Sequence, residues 1–125
     1  MKKKSLKTLH NNLWKLISEY VRRKENDVCY TCGVKKEWKE THCGHFLHQA
    51  KTSKLAYERK ILHCQCVKCN NFLSGNLLEY TIKMVKLYGL KQVEAWKRES
   101  KKPYRWKRGE LEELIEKYKI KLKKL

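Results

Sequence analysis

Apolar residues recur at helical spacing near the start of the chain. Leu6, Leu9, Leu13, Leu16, Ile17, Tyr20 and Val21 share one face, with Trp14 beside them. The pattern predicts an amphipathic helix over about 5–25. Arg22, Arg23 and Lys24 close it, where cations meet the negative end of the helix dipole. Asn26-Asp27 breaks the periodicity. Residues 34–60 hold no long periodic run and read as short strands and loops, with Thr41 to His48 the best strand. A short helix is expected over about Val67–Ser74, where Ser74-Gly75-Asn76 interrupts it. The run Asn76-Leu77-Leu78-Glu79 has capping-box form, so a new helix starts there, runs to Gly89 and presents Leu78, Ile82 and Val85 on one face. A further helix over about 91–100 carries Val93 and Trp96, and Pro103 ends that region. The last, about 110–124, has Glu110, Glu112 and Glu113 in its first turn and lysines in its last, with Leu111, Leu114, Ile115, Tyr118 and Leu122 as its face.

A length of 125 residues suffices for one domain with a modest core. It divides into a basic helix at 1–27, a cysteine-bearing core at 28–75 and a helical region at 76–125. Lys+Arg 31 against Asp+Glu 13 gives a formal charge of +18, while 41% hydrophobic content argues against a disordered basic tail. A field this positive attracts polyanions, and nucleic acid rewards it through counterion release. A membrane surface fits less well: the basic residues are spread along the chain and no lipidation signal accompanies them.

Met1-Lys2-Lys3-Lys4 leads into an amphipathic stretch and not into an apolar signal core, and no segment approaches a membrane span. A cytoplasmic location is therefore expected, where paired CxxC units bind metal in preference to forming disulfides. Cys29, Cys32, Cys66 and Cys69 are the expected zinc ligands, because a CxxC turn aims both of its sulfurs into one tetrahedron. Gly33 suits the tight turn of the first pair. Cys64 is an alternative to Cys66, and Cys43 also lies near; the plainer reading makes both small buried hydrophobes.

His42-Cys43-Gly44-His45 lies between the pairs, and Asn70 follows the last cysteine. Phosphodiester hydrolysis needs an activated water and a cation on the phosphate. His45 suits the general base, since imidazole titrates near neutrality. Asn70 offers a carbonyl oxygen to magnesium, fixed in place by the neighbouring zinc ligand, and His42 is a second ligand or an orienting group. The expected geometry sets the His45 imidazole beside the Asn70 amide. Plainer readings stand beside these: either histidine as a zinc ligand, and Asn70 as a helix cap.

The joint pattern resembles the zinc-containing HNH (ββα-metal) nucleases, and Cys66-Val67-Lys68-Cys69-Asn70 is similar to the endonuclease VII type of junction-resolving enzyme. A closer resemblance is to the phage NinG (Rap) recombination family. It rests on Tyr20-Val21-Arg22-Arg23, Cys29-Tyr30-Thr31-Cys32-Gly33, His42-Cys43-Gly44-His45-Phe46 and Gln65-Cys66, and most specifically on the run from Cys69-Asn70-Asn71 to Ser74-Gly75-Asn76. The resemblance implies an α+β fold, a small zinc-bound ββα core flanked by N- and C-terminal helices. It also implies His45 as base, Asn70 as magnesium (or manganese) ligand, and cleavage of branched DNA such as D-loops and Holliday junctions. The chain departs from the HNH pattern at Gly44, where many such enzymes carry a metal-binding Asp, and lacks the motif's middle Asn. His42 or a distant carboxylate such as Glu58 would then complete the shell.

Arg22, Arg23, Lys24, Lys51, Lys54, Arg59, Lys60, Lys68 and Lys83 lie near the proposed centre in sequence and are expected to clamp phosphates. Tyr104 and Trp106 are the better aromatics for stacking an unpaired base, with Trp96 assigned to the core. A homodimer is expected, because cutting two strands at one junction suits a two-fold enzyme. The competing function is a zinc-dependent DNA-binding protein without catalysis.

Overall fold

The computed structural model describes residues 3–125. Met1 and Lys2, part of the basic start noted above, lie outside the described residues. Helix α1 spans Leu6–Lys24, and Ser5 caps it by accepting from the Thr8 amide at 3.1 Å. Leu9, Leu13, Ile17 and Val21 form a fully buried i, i+4 stripe on it. The chain then reverses through Asn26 and Asp27, both left-handed at φ 55° and 56°.

Two strands follow, β1 at Thr41–His45 and β2 at Leu62–Cys66, paired antiparallel. The register sets His42 opposite Gln65, Cys43 opposite Cys64 and Gly44 opposite His63. All five residues of β2 are buried, because helices cover both of its faces. One face packs on α1 and on α4, which spans Arg108–Lys123 and contributes Leu111, Ile115 and Tyr118. The other lies under α2 (Leu77–Tyr88) and α3 (Leu90–Ser100), with Phe46, Tyr80, Met84, Val93 and Trp96 as its core. Among the described residues the sheet has just these two strands, so β1 keeps one free edge.

Several expected elements differ in detail. The strand stops at His45, and His48–Thr52 turns as a short 3-10 segment. The helix expected over Val67–Ser74 is a single wide turn at Lys68–Phe72. Asn76 does not cap α2: its backbone is left-handed (φ 48°), and its side-chain amide is drawn to the Cys69 sulfur at 3.6 Å. The buried face of α2 is Tyr80 and Met84, while Leu78 and Ile82 are 72% and 41% exposed. The Tyr80 hydroxyl decides that rotation, since it donates to the Gly44 carbonyl at 2.9 Å. Gly89 ends α2 with φ 88°, as a C-terminal glycine should.

Candidate functional site

The sulfurs of Cys29, Cys32, Cys66 and Cys69 all lie within 4.8 Å of one another. Cys32 and Cys66 are 3.8 Å apart, and a tetrahedron of zinc–sulfur bonds requires about 3.8 Å between sulfurs. The donor set fits a structural metal such as zinc. Gly33 (φ 80°) closes the first turn by donating to the Cys29 carbonyl at 2.8 Å. Burial raises the Cys29 thiol, but the Thr31 hydroxyl and nearby amides outweigh it and bring the group down to about 6. Cys43 and Cys64 stand apart from this cluster. Cys43 belongs to the core against α1 and α4, and burial drives both thiols up, Cys64 to about 12.

The two histidines of β1 leave the strand on opposite faces, since they are three residues apart and side chains alternate. His42 shares the Gln65 face, and it is His42, not His45, that meets Asn70. The Asn70 amide nitrogen donates to His42 Nδ1 at 3.0 Å. Burial lowers the His42 pKa and the Arg22 charge lowers it further, which suits an accepting nitrogen. His45 turns toward α1 and stacks on Trp14, ring centroids 4.8 Å apart at 11°. Its Nε2 lies 3.0 Å from the Ala56 carbonyl. A carbonyl only accepts, so Nε2 carries the proton and Nδ1 keeps its lone pair. Burial is the main reason the His45 pKa falls to about 4; the Ala56 carbonyl opposes it, and Lys51 and His48 reinforce it. Neither histidine joins the sulfur cluster.

A groove of about 1720 Å³ brings these groups together. His42, Cys43, His45 and Phe46 of the β1 segment line it, as does Asn70. Its basic residues are Arg22, Lys51, Lys97 and Arg105, and no Asp or Glu lines it among the described residues. Trp14, Tyr57, Tyr104 and Trp106 add aromatic surface. The far wall is latched to the near one. Ser53 bridges Pro103, the Tyr104 amide donates to the Thr52 carbonyl at 3.0 Å, and the Trp106 indole donates to the Ser53 carbonyl at 3.2 Å.

The other basic residues separate by what already holds them. Arg22 donates to the carbonyls of Trp38 and Thr41 at 3.1 and 2.9 Å, with its guanidinium 3.4 Å over the Trp38 ring. Arg59 is committed inward, to Glu25 at 3.0 Å and the Leu62 carbonyl at 2.7 Å. The same Glu25 carboxylate accepts from the His63 ring and the Cys64 amide. Lys83 donates to the Tyr30 carbonyl at 2.6 Å. Arg23 pairs with Glu19 on the surface. Lys24, Lys54, Lys60 and Lys68 are exposed but do not line the groove. Glu58 caps the turn at Lys60 and stays outside the groove. Lys97 and Arg105 carry no mark in the sequence, since nothing local distinguishes them among so many cations; Gln65 entered only through the resemblance, beside Cys66, without a role.

A family model described as Bacteriophage Lambda NinG protein matches residues 1–125. The chain is 29% identical over 112 residues to Protein ninG of Salmonella phage P22, covering 87% of this chain and 53% of that one. It is 29% identical to Protein ninG of Escherichia phage 933W, covering 87% and 54%, and 28% identical to that of Escherichia phage lambda, covering 87% and 53%. The chain thus spans about half the length of these relatives. No solved structure gives a significant match.

Proposed function

The chain belongs to the NinG family of phage proteins, and from that premise we propose that it is a metal-dependent DNA endonuclease acting on branched recombination intermediates such as D-loops and four-way junctions. One observation carries the reading. The His42–Asn70 pair at 3.0 Å and the His45 imidazole line one basic groove that holds no carboxylate among the described residues. A phosphate backbone entering it meets Arg22, Lys51, Lys97 and Arg105.

Asn70 is the residue to hold a divalent cation there, through its amide oxygen, and His42, whose Nδ1 accepts from the Asn70 amide nitrogen, orients that amide. A bound magnesium or manganese ion polarises the phosphate and stabilises the leaving oxygen. The proton of the attacking water goes to His45 Nδ1, the nitrogen left free by the Ala56 bond. A pKa near 4 keeps that nitrogen unprotonated at neutral pH. Phosphate in the groove neutralises part of the Lys51 charge and so raises the proton affinity of His45 as the substrate binds. The reading includes a two-fold dimer, because two cuts at one junction call for two sites.

The test uses labelled junction, flap and linear duplex DNA, each with and without magnesium or manganese. Cleavage of branched substrates that needs the cation is expected, and His45→Ala should keep DNA affinity while losing the cut. A non-catalytic DNA-binding protein is the second reading, favoured by the lack of any carboxylate in the groove. It prevails if the zinc-loaded wild type binds branched DNA yet cleaves no substrate with either cation.

A further inference from the structure

Beneath the His42–Asn70 pair sits a buried acceptor with no partner. Gln65 is 0% exposed, and its Oε1 lacks any hydrogen bond. The orientation of this amide is settled by its nitrogen, which donates to Thr31 Oγ1 at 3.1 Å and to the Gly75 carbonyl at 2.8 Å. Both partners accept, so the oxygen must point the other way. It points over Gly44. A Cβ added at residue 44 would stand 1.9 Å from Gln65 Oε1 and 3.1 Å from Asn70 Oδ1. Two amide oxygens therefore converge on the strip of backbone that glycine leaves bare, with no donor between them. Gly44 has no positive φ, so its missing side chain matters here for space, not for backbone freedom.

A buried acceptor left unpaired is expected to serve an absent water or ion. Two neighbouring carbonyl oxygens, one of them on Asn70 at the groove wall and the other buried behind it, form a hard, neutral donor pair for a cation. We infer that Gln65 Oε1 is a direct ligand of the divalent cation, bound over Gly44 alongside Asn70 Oδ1, whose amide His42 orients. The assignment rests on the nuclease reading above and deepens it. Gln65 also ties this site to the sulfur cluster, since its nitrogen holds Thr31, whose hydroxyl lies 3.3 Å from the Cys29 sulfur.

Manganese binding to the zinc-saturated protein, followed by electron paramagnetic resonance without DNA, tests this apart from catalysis. The wild type should bind one manganese ion, and His42→Ala and Asn70→Ala should lose it. Gln65→Met should weaken binding at least about tenfold, the scale seen when supporting groups of metal sites are removed. Gln65→Asn keeps an amide but draws its oxygen back from Gly44, and it should weaken binding as well. Where Gln65→Met fails to retain zinc, Gln65→Asn decides, and unchanged affinity overturns the assignment. Manganese binding that needs His42 and Asn70 but ignores both Gln65 variants means that Oε1 holds only a water; the metal site would then survive and the Gln65 ligand would not. No manganese binding by the wild type discards both.

Discussion

The sulfur cluster and the groove are neighbouring rows of one hairpin: Cys66 pairs with Thr41, and Gln65 with His42. Their character is opposite. The four sulfurs face one another, receive hydrogen bonds from Asn76 and the Cys69 amide, and contribute nothing to the groove wall. The groove keeps a lone pair to spare at His45 Nδ1, and behind its wall the buried Gln65 Oε1 has no partner. A closed donor set stabilises a fold; an incomplete one invites a ligand. Strand alternation turns the one-residue step from Cys66 to Gln65 into a change of face.

The sharpest way to break the contrast is to remove the metal from the closed region. Structural zinc contributes on the order of 10 kcal/mol to folding in small zinc domains, comparable to the whole stability of a domain. Chelation, or Cys66→Ser, should therefore abolish the cooperative thermal transition seen by circular dichroism. A chelated chain that melts at the unchanged temperature would assign the sulfurs no structural role. Next in size are changes in the groove. His45→Ala should lower cleavage by about 10²–10⁴-fold, the usual range for a lost general base, with zinc content intact on metal analysis. Parallel loss of zinc would merge the two regions into one.

Proton linkage separates them at a smaller scale. His45 has an ordinary pKa near 6.5 in the unfolded chain and about 4 in the folded one. As pH falls below 6.5 the unfolded chain takes up a proton that the folded one refuses, so stability declines until about pH 4. The full effect is about 3 kcal/mol. His42 shifts in the same direction, so His45→Gln should flatten the decline without erasing it. Glu25, whose carboxyl is raised by burial but lowered more by His63, the Cys64 amide and Arg59 together, adds its loss at still lower pH, below its ordinary value of 4.5. Urea denaturation between pH 4 and 7 would show this; identical slopes in wild type and His45→Gln would place the histidine in solvent. The smallest effects concern the cations. Lys51→Ala and Lys97→Ala should each reduce the salt-dependence slope of DNA binding by about 1. Arg59→Ala should leave that slope alone and lower the melting temperature, because its guanidinium holds Glu25.

Local rules account for what was legible in the chain. The CxxC spacing marked all four clustered cysteines, and the i, i+4 stripe of α1 lies at the predicted positions. His42 and Asn70 were both expected at the cation, but it was His45 that was expected beside the Asn70 amide, and His42 meets it instead. The period-2 rule separates residues 42 and 45 and was available from the strand prediction. The face of α2 went wrong for a non-local reason: propensity favours Leu78 and Ile82, but Tyr80 reaches Gly44 across the fold. Lys97 and Arg105 reach the groove through packing between distant segments, which no window of sequence displays.

The strap from Pro103 to Trp106 is clipped to Thr52 and Ser53 and so fixes the width of the groove. Under the proposed function, shape adjustment on encounter would then fall to the DNA. Duplex that must be bent or unstacked to enter costs free energy in proportion to its stiffness, whereas a junction arm or nick is already loose. Preference for forked or gapped substrates would then arise from mechanics alone, with no side chain needed to read a base.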